Sequence, residues 1–274
     1  MLHYDRMQVL IYDSNEATGA AAAGDMGQIL QSTIDESGEA SIILATGNSQ
    51  LSFIRALRVN RDIAWDKVII FHMDEYLGMA EQHPASFRRY LREKIVDWVY
   101  PRTFYGIQGD AQDIEGELAR YSALLKEHQP VACVLGIGEN GHLAFNDPPA
   151  DFNTDKIIHI VTLDEVNRKQ QVEEGHFATL DEVPRQAITL TVPALLAPPQ
   201  VLVVVPEARK SPAVKAALEG PVTPLCPASI LRTQRHVKLY LDRESASLLQ
   251  DAVDLSSHVP PTDQATLEDP LSPG

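Results

Sequence analysis

Short apolar runs rich in Val, Ile and Leu recur along this chain, and segments with helical spacing of their apolar residues separate them. This alternation favours a parallel or mostly parallel sheet with helices on both faces. No linker interrupts it, so we predict one α/β domain over residues 1–250. Residues 251–274 are rich in Pro, Ser, Asp and Thr, which predicts a disordered tail. The predicted strands are Gln8–Tyr12, Ser41–Ala45, Val68–Phe71, Val131–Ile137, Ile157–Val161, Ala187–Val192, Val201–Val205 and Val237–Leu241.

The charge balance of the chain bears on the ligands it can bind. Lys and Arg number 23 against 38 Asp and Glu, for a formal net charge of -15. Such a surface repels nucleic acid and anionic membranes, so we expect neither as a partner. Cys133 and Cys226 lack the spacing of a metal or redox motif, which predicts reduced thiols and a cytoplasmic protein. No uninterrupted apolar run reaches the roughly 18 residues of a membrane span.

The densest polar cluster follows the predicted strand Val131–Ile137. The strand breaks at a Gly-x-Gly sequence, and Asn140, His142 and Asp147 come directly after it. In open α/β sheets, ligands bind outside the carboxyl ends of the strands. A lone histidine in such a loop is more often a structural cap, but one set between an amide and a carboxylate indicates a functional site.

Two further strand ends carry groups that suit an anion. The turn Thr46-Gly47-Asn48-Ser49 joins a strand to a helix, whose unpaired N–H groups and dipole favour a phosphate. A helix cap at Ser49 explains the same sequence equally well. Lys210 follows Val201–Val205 in the first turn of a helix, where the dipole disfavours a cation. A surface lysine is the alternative to an anion-binding one.

An acidic pair, Asp74-Glu75, follows the strand Val68–Phe71. Carboxylates near a core are costly unless they are hydrogen-bonded or used, so the pair is a candidate for chemistry. The alternatives are a solvated strand exit and a metal site that adds His72 and His83. The metal site is the weaker alternative because no specific ligand spacing is present.

The segment Pro84–Val99 has the apolar spacing of one amphipathic helix. We expect Phe87, Leu91, Ile95 and Trp98 on its buried face. Its arginines are expected in solvent: Arg88, Arg89 and Arg92.

Taken together, four segments resemble the glucosamine-6-phosphate deaminase (isomerase) family, which shares a fold with the 6-phosphogluconolactonases. They are LATGNSQ, FHMDEYLGM, GIGENGHLAFNDP and PEARKSPAVKAALEG. The resemblance covers roughly residues 9–249, and the second and third segments are specific. It implies a single-domain, modified Rossmann-like fold. It also implies conversion of an amino-sugar phosphate, glucosamine 6-phosphate or a close relative, to fructose 6-phosphate and ammonia, with no metal or organic cofactor.

The same resemblance assigns roles to individual residues. Asp74 matches the carboxylate that moves a proton from C2 to C1, and His142 matches the group that shuttles the ring-oxygen proton. Asp147 stands where the family carries a glutamate, and Asn140 stands where the family usually has an aspartate. The substrate and phosphate contacts implied are Thr46, Gly47, Asn48, Ser49, Glu75, Lys210 and, as the candidate arginine, Arg168.

Other functions remain open on the sequence. A 6-phosphogluconolactonase-type hydrolase, or an isomerase of a related sugar phosphate, would use the same kind of site. A non-catalytic sugar-phosphate sensor is a third possibility, although the first strand begins too early for a preceding DNA-binding segment. In every case the partner is a small sugar phosphate, and assembly as a homo-oligomer stays open.

Overall fold

The computed structural model describes residues 2–250, and the predicted disordered tail lies outside these residues. Eleven strands form two sheets in this part of the chain. The strands are β1 (Leu2–Tyr4), β2 (Met7–Tyr12), β3 (Ala40–Leu44), β4 (Val68–His72), β5 (Asp74–Tyr76), β6 (Thr103–Tyr105), β7 (Ala132–Leu135), β8 (Ile158–Thr162), β9 (Gln186–Leu190), β10 (Gln200–Val205) and β11 (Val237–Asp242).

The helices cover the larger sheet and connect its strands. They are α1 (Asn15–Ser37), α2 (Leu51–Arg58), α3 (Phe87–Leu91), α4 (Asp97–Val99), α5 (Ile114–His128), α6 (Glu165–Glu173), α7 (Val192–Leu196) and α8 (Ser211–Glu219). No helix among residues 2–250 is long and apolar enough to cross a membrane.

The larger sheet has eight strands in the order β1-β2-β11-β10-β7-β3-β4-β6. Every neighbouring pair is parallel except β1 and β2, so the predicted mostly parallel sheet in one domain is confirmed. The smaller sheet has the order β5-β9-β8 and is antiparallel. It was not predicted, because only Met73 separates β4 from β5 and the polar residues there are typical of a chain leaving a strand.

The core lies on both faces of the larger sheet, which explains why its central strands are mostly apolar. In β10, Val201, Val203 and Val205 belong to one apolar cluster, whereas Leu202 and Val204 belong to the other. Successive side chains of a strand point to opposite faces, so a strand covered on both sides disfavours polar residues along its whole length. Each such side chain contributes on the order of 1.5–3 kcal/mol by burial.

The segment predicted as one amphipathic helix is interrupted. A π-helical turn, Arg92–Val96, separates α3 from α4. A π-turn holds more residues than an α-turn and shifts the helical phase of the residues after it. Trp98 therefore leaves the buried face and is 61% exposed, with the Arg58 guanidinium 3.9 Å from its ring centre.

The prediction that Arg88 lies in solvent is wrong. Its side chain is buried, and its Nε lies 3.3 Å from Glu75 Oε2. Its Nη2 donates to the Met79 carbonyl at 2.6 Å and to Asp110 at 2.9 Å. A buried carboxylate needs such a partner. Arg88 therefore turns toward Glu75, although the spacing of apolar residues in this segment predicts it in solvent.

We predict that Arg88→Ala destabilises the protein by about 3–5 kcal/mol, because it leaves the Glu75 carboxylate buried without its cation. The free energy of unfolding in urea measures the effect. Arg89→Ala is the matched control: Arg89 pairs with Glu93 on the exposed face of the same segment. That change should cost only about 0.3–0.5 kcal/mol. Equal losses in the two variants would contradict a stabilising role for the buried pair.

Candidate functional site

Four neighbouring strands of the larger sheet end at one edge, and each is followed by a predicted site element. In the order β10-β7-β3-β4, the elements are Lys210, the loop with His142, the turn Thr46–Ser49, and Asp74. Because the strands are parallel, their carboxyl ends all lie on the same side. The topology therefore brings together groups that are far apart in the chain.

Asp74 has the environment of a base without a partner. It is 5% exposed, and its Oδ1 accepts no hydrogen bond from the described residues. Burial, together with the charge of Glu75, raises the pKa of Asp74 well above its ordinary value. A carboxyl group held in this way takes up a proton readily, as an acid–base group requires.

Glu75 faces the opposite way and has a structural role, contrary to the predicted substrate contact. It is fully buried, and both carboxylate oxygens are occupied. Oε1 accepts the N–H groups of Tyr76 and Phe87, each at 3.1 Å. Oε2 accepts the Ser86 hydroxyl at 2.8 Å and the backbone and side-chain N–H groups of Arg88. Glu75 therefore holds the start of α3 and has no free oxygen for a ligand.

The two histidines considered as metal ligands are engaged elsewhere. His72 Nε2 accepts the backbone N–H of Ile107 at 2.7 Å, and burial lowers the pKa of His72 to about 3. His83 Nδ1 accepts the backbone N–H of Ala85 at 3.1 Å. Among residues 2–250, no three His, Cys, Asp or Glu side chains are grouped so that they could hold a metal ion.

His142 is held by Asn140 and Asp147. Its Nδ1 lies 2.7 Å from Asn140 Oδ1 and 3.4 Å from Asp147 Oδ1. The Asn140 amide is oriented by its Nδ2, which donates to Asp147 at 3.2 Å and to Asp164 at 2.9 Å. Its oxygen therefore faces His142, which favours the ring proton on Nδ1. Nε2 is then the nitrogen left to exchange a proton with a ligand.

Asp147 keeps its charge beside the ring. Burial alone would raise the pKa of Asp147, but His142, the Asp164 backbone N–H and the Asn167 amide hold it below its ordinary value. The Asp164 N–H donates at 3.0 Å and the Asn167 amide at 2.9 Å. Nothing in the sequence pattern predicts that these two donors at the start of α6 contact Asp147.

Gly138 makes room for the His142 ring. A Cβ at this position would lie 2.1–2.3 Å from three ring atoms, closer than any real contact. The Gly-x-Gly break after β7 is therefore needed for the ring to lie against the backbone, which gives the second glycine of the motif a physical reason.

Strand β9 fixes the two catalytic candidates relative to each other. Asp74 pairs with Thr189, whose hydroxyl accepts the backbone N–H of Phe145 at 3.2 Å. The Asn146 amide donates to the Leu190 carbonyl at 2.8 Å. Thr189 thus contacts both the strand that carries Asp74 and the loop that carries His142.

The turn after β3 offers unpaired donors. Gly47 has φ 103° and starts a short 3-10 turn that no side chain caps, so Ser49 is not the predicted helix cap. The backbone N–H groups of Gly47, Asn48 and Ser49 donate to no group among the described residues. Such a nest of N–H groups binds anions. Gln50 fixes the turn to the sheet, because its Nε2 donates to the Val204 carbonyl at 3.1 Å.

Lys210, which follows β10, is buried and lacks a bonded partner. It is 3% exposed, and no hydrogen bond or ion pair of its ammonium group occurs within residues 2–250. Burial lowers the pKa of Lys210, and the nearby charge of Glu174 partly offsets this effect. A buried ammonium without a bonded partner is unfavourable unless a ligand supplies the anion.

The two arginines of this region differ from the prediction. The Arg168 guanidinium donates to the carbonyl groups of Leu180 and Val183, so its contacts give no support to the predicted role as phosphate arginine. Arg209 lies beside Lys210 in the chain and was missed, although it belongs to the same matched segment. Its contacts are three carboxylates: Glu139 at 3.1 Å, Glu174 at 3.0 Å and Glu207 at 2.7 Å.

Comparison with known proteins shows the family and the fold. The model of the family "Glucosamine-6-phosphate isomerases/6-phosphogluconolactonase" matches residues 13–241. A glucosamine-6-phosphate deaminase of Exiguobacterium sibiricum is 36% identical over 77% of this chain and 82% of its own. Another, of Bacillus cytotoxicus, is 30% identical over 90% of this chain and 91% of its own.

Solved structures of two activities share the fold. A monomeric glucosamine-6-phosphate deaminase superposes with a TM-score of 0.80 and 29% identity, over 88% of this chain and 100% of its own. A 6-phosphogluconolactonase of Shewanella baltica has a TM-score of 0.72 and 20% identity, over 88% of this chain and 99% of its own. The second similarity concerns the fold alone.

We predict that neutral His142 is protonated on Nδ1 and that Asn140→Ala gives a mixture of tautomers, because the acceptor at 2.7 Å is lost. Long-range 15N–1H NMR of the imidazole nitrogens distinguishes the two forms. Asn153→Ala, an exposed loop asparagine, is the control and should leave the His142 signals unchanged. An unaltered tautomer in Asn140→Ala would mean that Asn140 does not orient the ring.

Proposed function

Because this chain belongs to the family of glucosamine-6-phosphate isomerases and 6-phosphogluconolactonases, we propose that it converts glucosamine 6-phosphate, or a close relative, to fructose 6-phosphate and ammonia. One observation carries the proposal. A buried carboxyl group without a protein donor, Asp74, lies at the same sheet edge as an oriented histidine, His142, and a buried lysine without a bonded partner, Lys210. Proton transfer on a phosphorylated sugar requires this combination.

His142 acts first, in ring opening. The closed sugar must lose the proton of its C1 hydroxyl while the ring oxygen gains one. A histidine with Nδ1 bonded to the protein and Nε2 free can move that proton. Asn140 and Asp147 keep the ring in the required orientation, with Asp147 supplying the nearby negative charge.

Asp74 then carries the proton between carbons. Its ionised carboxylate removes the hydrogen from C2, and that electron pair forms the C1–C2 double bond of an enolamine while the C1–O π bond of the aldehyde breaks and O1 takes up a proton. Return of the proton to C1 and loss of one N–H proton give the C2 imine, which adds water and releases ammonia. The sequence is redox-neutral and consumes one water, so acid–base groups of the protein are sufficient for it.

The phosphate would bind between Lys210 and the turn Thr46–Ser49. The ammonium group supplies a charge, and the N–H groups of Gly47, Asn48 and Ser49 supply donors without other acceptors in the described chain. The two cysteines are free, which together with a sugar-phosphate substrate supports a reducing, cytoplasmic compartment.

The decisive assay measures ammonia and ketose phosphate together over a panel of hexosamine 6-phosphates, with 6-phosphogluconolactone included. Stoichiometric ammonia and fructose 6-phosphate from glucosamine 6-phosphate is the expected result. Hydrolysis of the lactone without ammonia from any amino sugar would instead assign the lactonase activity.

We predict that Asp74→Asn lowers turnover by a factor of about 10² or more, since an amide cannot take the C2 proton. Exchange of the C2 hydrogen with deuterium from solvent should be lost in parallel, and retained exchange would exclude Asp74 as the base.

In the wild type, Asp74 acts as a base in its ionised form, and its pKa is raised. The acidic limb of the kcat/KM profile should therefore lie well above 3.8, with activity lost as pH falls through it.

We predict that Lys210→Ala weakens binding of glucosamine 6-phosphate by about tenfold or more, through loss of a charge-assisted contact to phosphate. Binding of unphosphorylated glucosamine should change little, and calorimetric titration compares the two ligands. Lys215→Ala, on the exposed face of α8, is the matched control. Equal weakening of both ligands by Lys210→Ala would show that Lys210 does not contact the phosphate.

A further inference from the structure

The carboxylate of Glu174 is directed into the same region as Lys210. Glu174 follows the last residue of α6, and its side chain is 6% exposed. Its Oε1 accepts the Gln170 amide at 2.8 Å and lies 3.0 Å from Arg209 Nη1. Its Oε2 lies 3.4 Å from His176 Nε2. The Glu174 carboxylate is thus surrounded by hydrogen-bond donors and a cation, which is the environment that a bound anion requires.

The turn after β3 borders this carboxylate on the other side. A Cβ built on Gly47 would lie 4.0 Å from Glu174 Oε2. The Asn48 amide donates to the backbone carbonyl of Glu174 at 3.3 Å. The positive charge of Lys210 acts on Glu174 as well. Glu174 therefore stands between the unpaired N–H groups of the turn and the two cations that follow β10.

The carboxylates around Glu174 already neutralise the nearby cations, which disfavours binding of a phosphate in addition to them. Lys210 and Arg209 supply two positive charges, and Arg209 already contacts the carboxylates of Glu139, Glu174 and Glu207. Burial alone would raise the pKa of Glu174, but His176, Gln170 and the charges of Arg209 and Lys210 hold it at about 2. Glu174 is therefore ionised at any working pH, and a phosphate dianion brought beside it would be repelled.

We propose that Glu174 is an internal anion that occupies the phosphate subsite, and that the phosphate of the substrate has to displace it. This inference rests on the proposed function, because it concerns the subsite assigned there to phosphate. Glu174 is then a specificity determinant of this chain: it lowers the affinity for every phosphate-bearing ligand and leaves unphosphorylated sugars unaffected.

Displacement also changes the role of Arg209. Once Glu174 withdraws, Arg209 Nη1 loses one of its two carboxylate contacts and gains a free donor next to Lys210. A planar guanidinium suits two phosphate oxygens at once. Arg209 thus takes the phosphate-binding role that the sequence predicted for Arg168, but only after the Glu174 carboxylate has moved away.

The test is calorimetric titration of wild type, Glu174→Gln and Glu174→Ala with inorganic phosphate, glucosamine 6-phosphate and glucosamine. Both variants should bind the two phosphate-bearing ligands at least about tenfold more tightly, because one repelling charge is removed. Their affinity for glucosamine should equal that of wild type. Glu173→Gln is the matched control, since it removes the charge of the exposed neighbouring residue. It should change none of the three affinities.

Two results would overturn the inference. Unchanged phosphate affinity in both variants would mean that Glu174 does not occupy the subsite. Weaker phosphate affinity would mean that Glu174 instead supports the cations for the ligand. The inorganic phosphate titration does not involve catalysis. Tighter phosphate binding in the variants, combined with no ammonia release by wild type, would therefore disprove the proposed reaction while upholding the role of Glu174.

Discussion

Parallel pairing of β10, β7, β3 and β4 is the constraint on which the rest of this structure depends. Parallel strands run in the same direction, so residues that follow four separate strands meet at one edge. The strands are mostly apolar because both faces are covered, and polar residues are concentrated where a strand ends. The sharp change from Val and Ile to Asp, His and Asn along the chain is the direct result.

The smaller sheet turns this edge into an ordered site. Asp74 and Glu75 are neighbours in β5, and successive strand residues point to opposite sides. Glu75 consequently reaches Arg88 and the start of α3, whereas Asp74 reaches the side where it has no donor. Two chemically similar residues thus acquire a structural role and a candidate catalytic role. Pairing of β5 with β9 fixes both, and Thr189 and Leu190 of β9 hold the loop of His142.

The proposed phosphate side of this sheet edge contains two cations in different environments. Lys210 is buried without a bonded partner, and Arg209 next to it is surrounded by carboxylates. Local charge is decided here by side chains from the segments after β7 and β10 and from the end of α6. A ligand at this position competes with the protein's own groups, so its affinity depends on the whole cluster and not on one lysine.

The sequence by itself determined eight of the eleven described strands, the mostly parallel arrangement of the larger sheet and the segments that line the edge, because burial on both faces leaves a pattern that can be read locally. It also identified Asp74, His142 and Lys210, each of which follows a strand. Only the tertiary structure decided the roles of Glu75, Arg88 and Arg168, and the presence of Glu174 beside Lys210. Those roles depend on which charged groups meet across distant segments. Hydrophobic periodicity reports where a side chain is buried but carries no information about the partner it finds there.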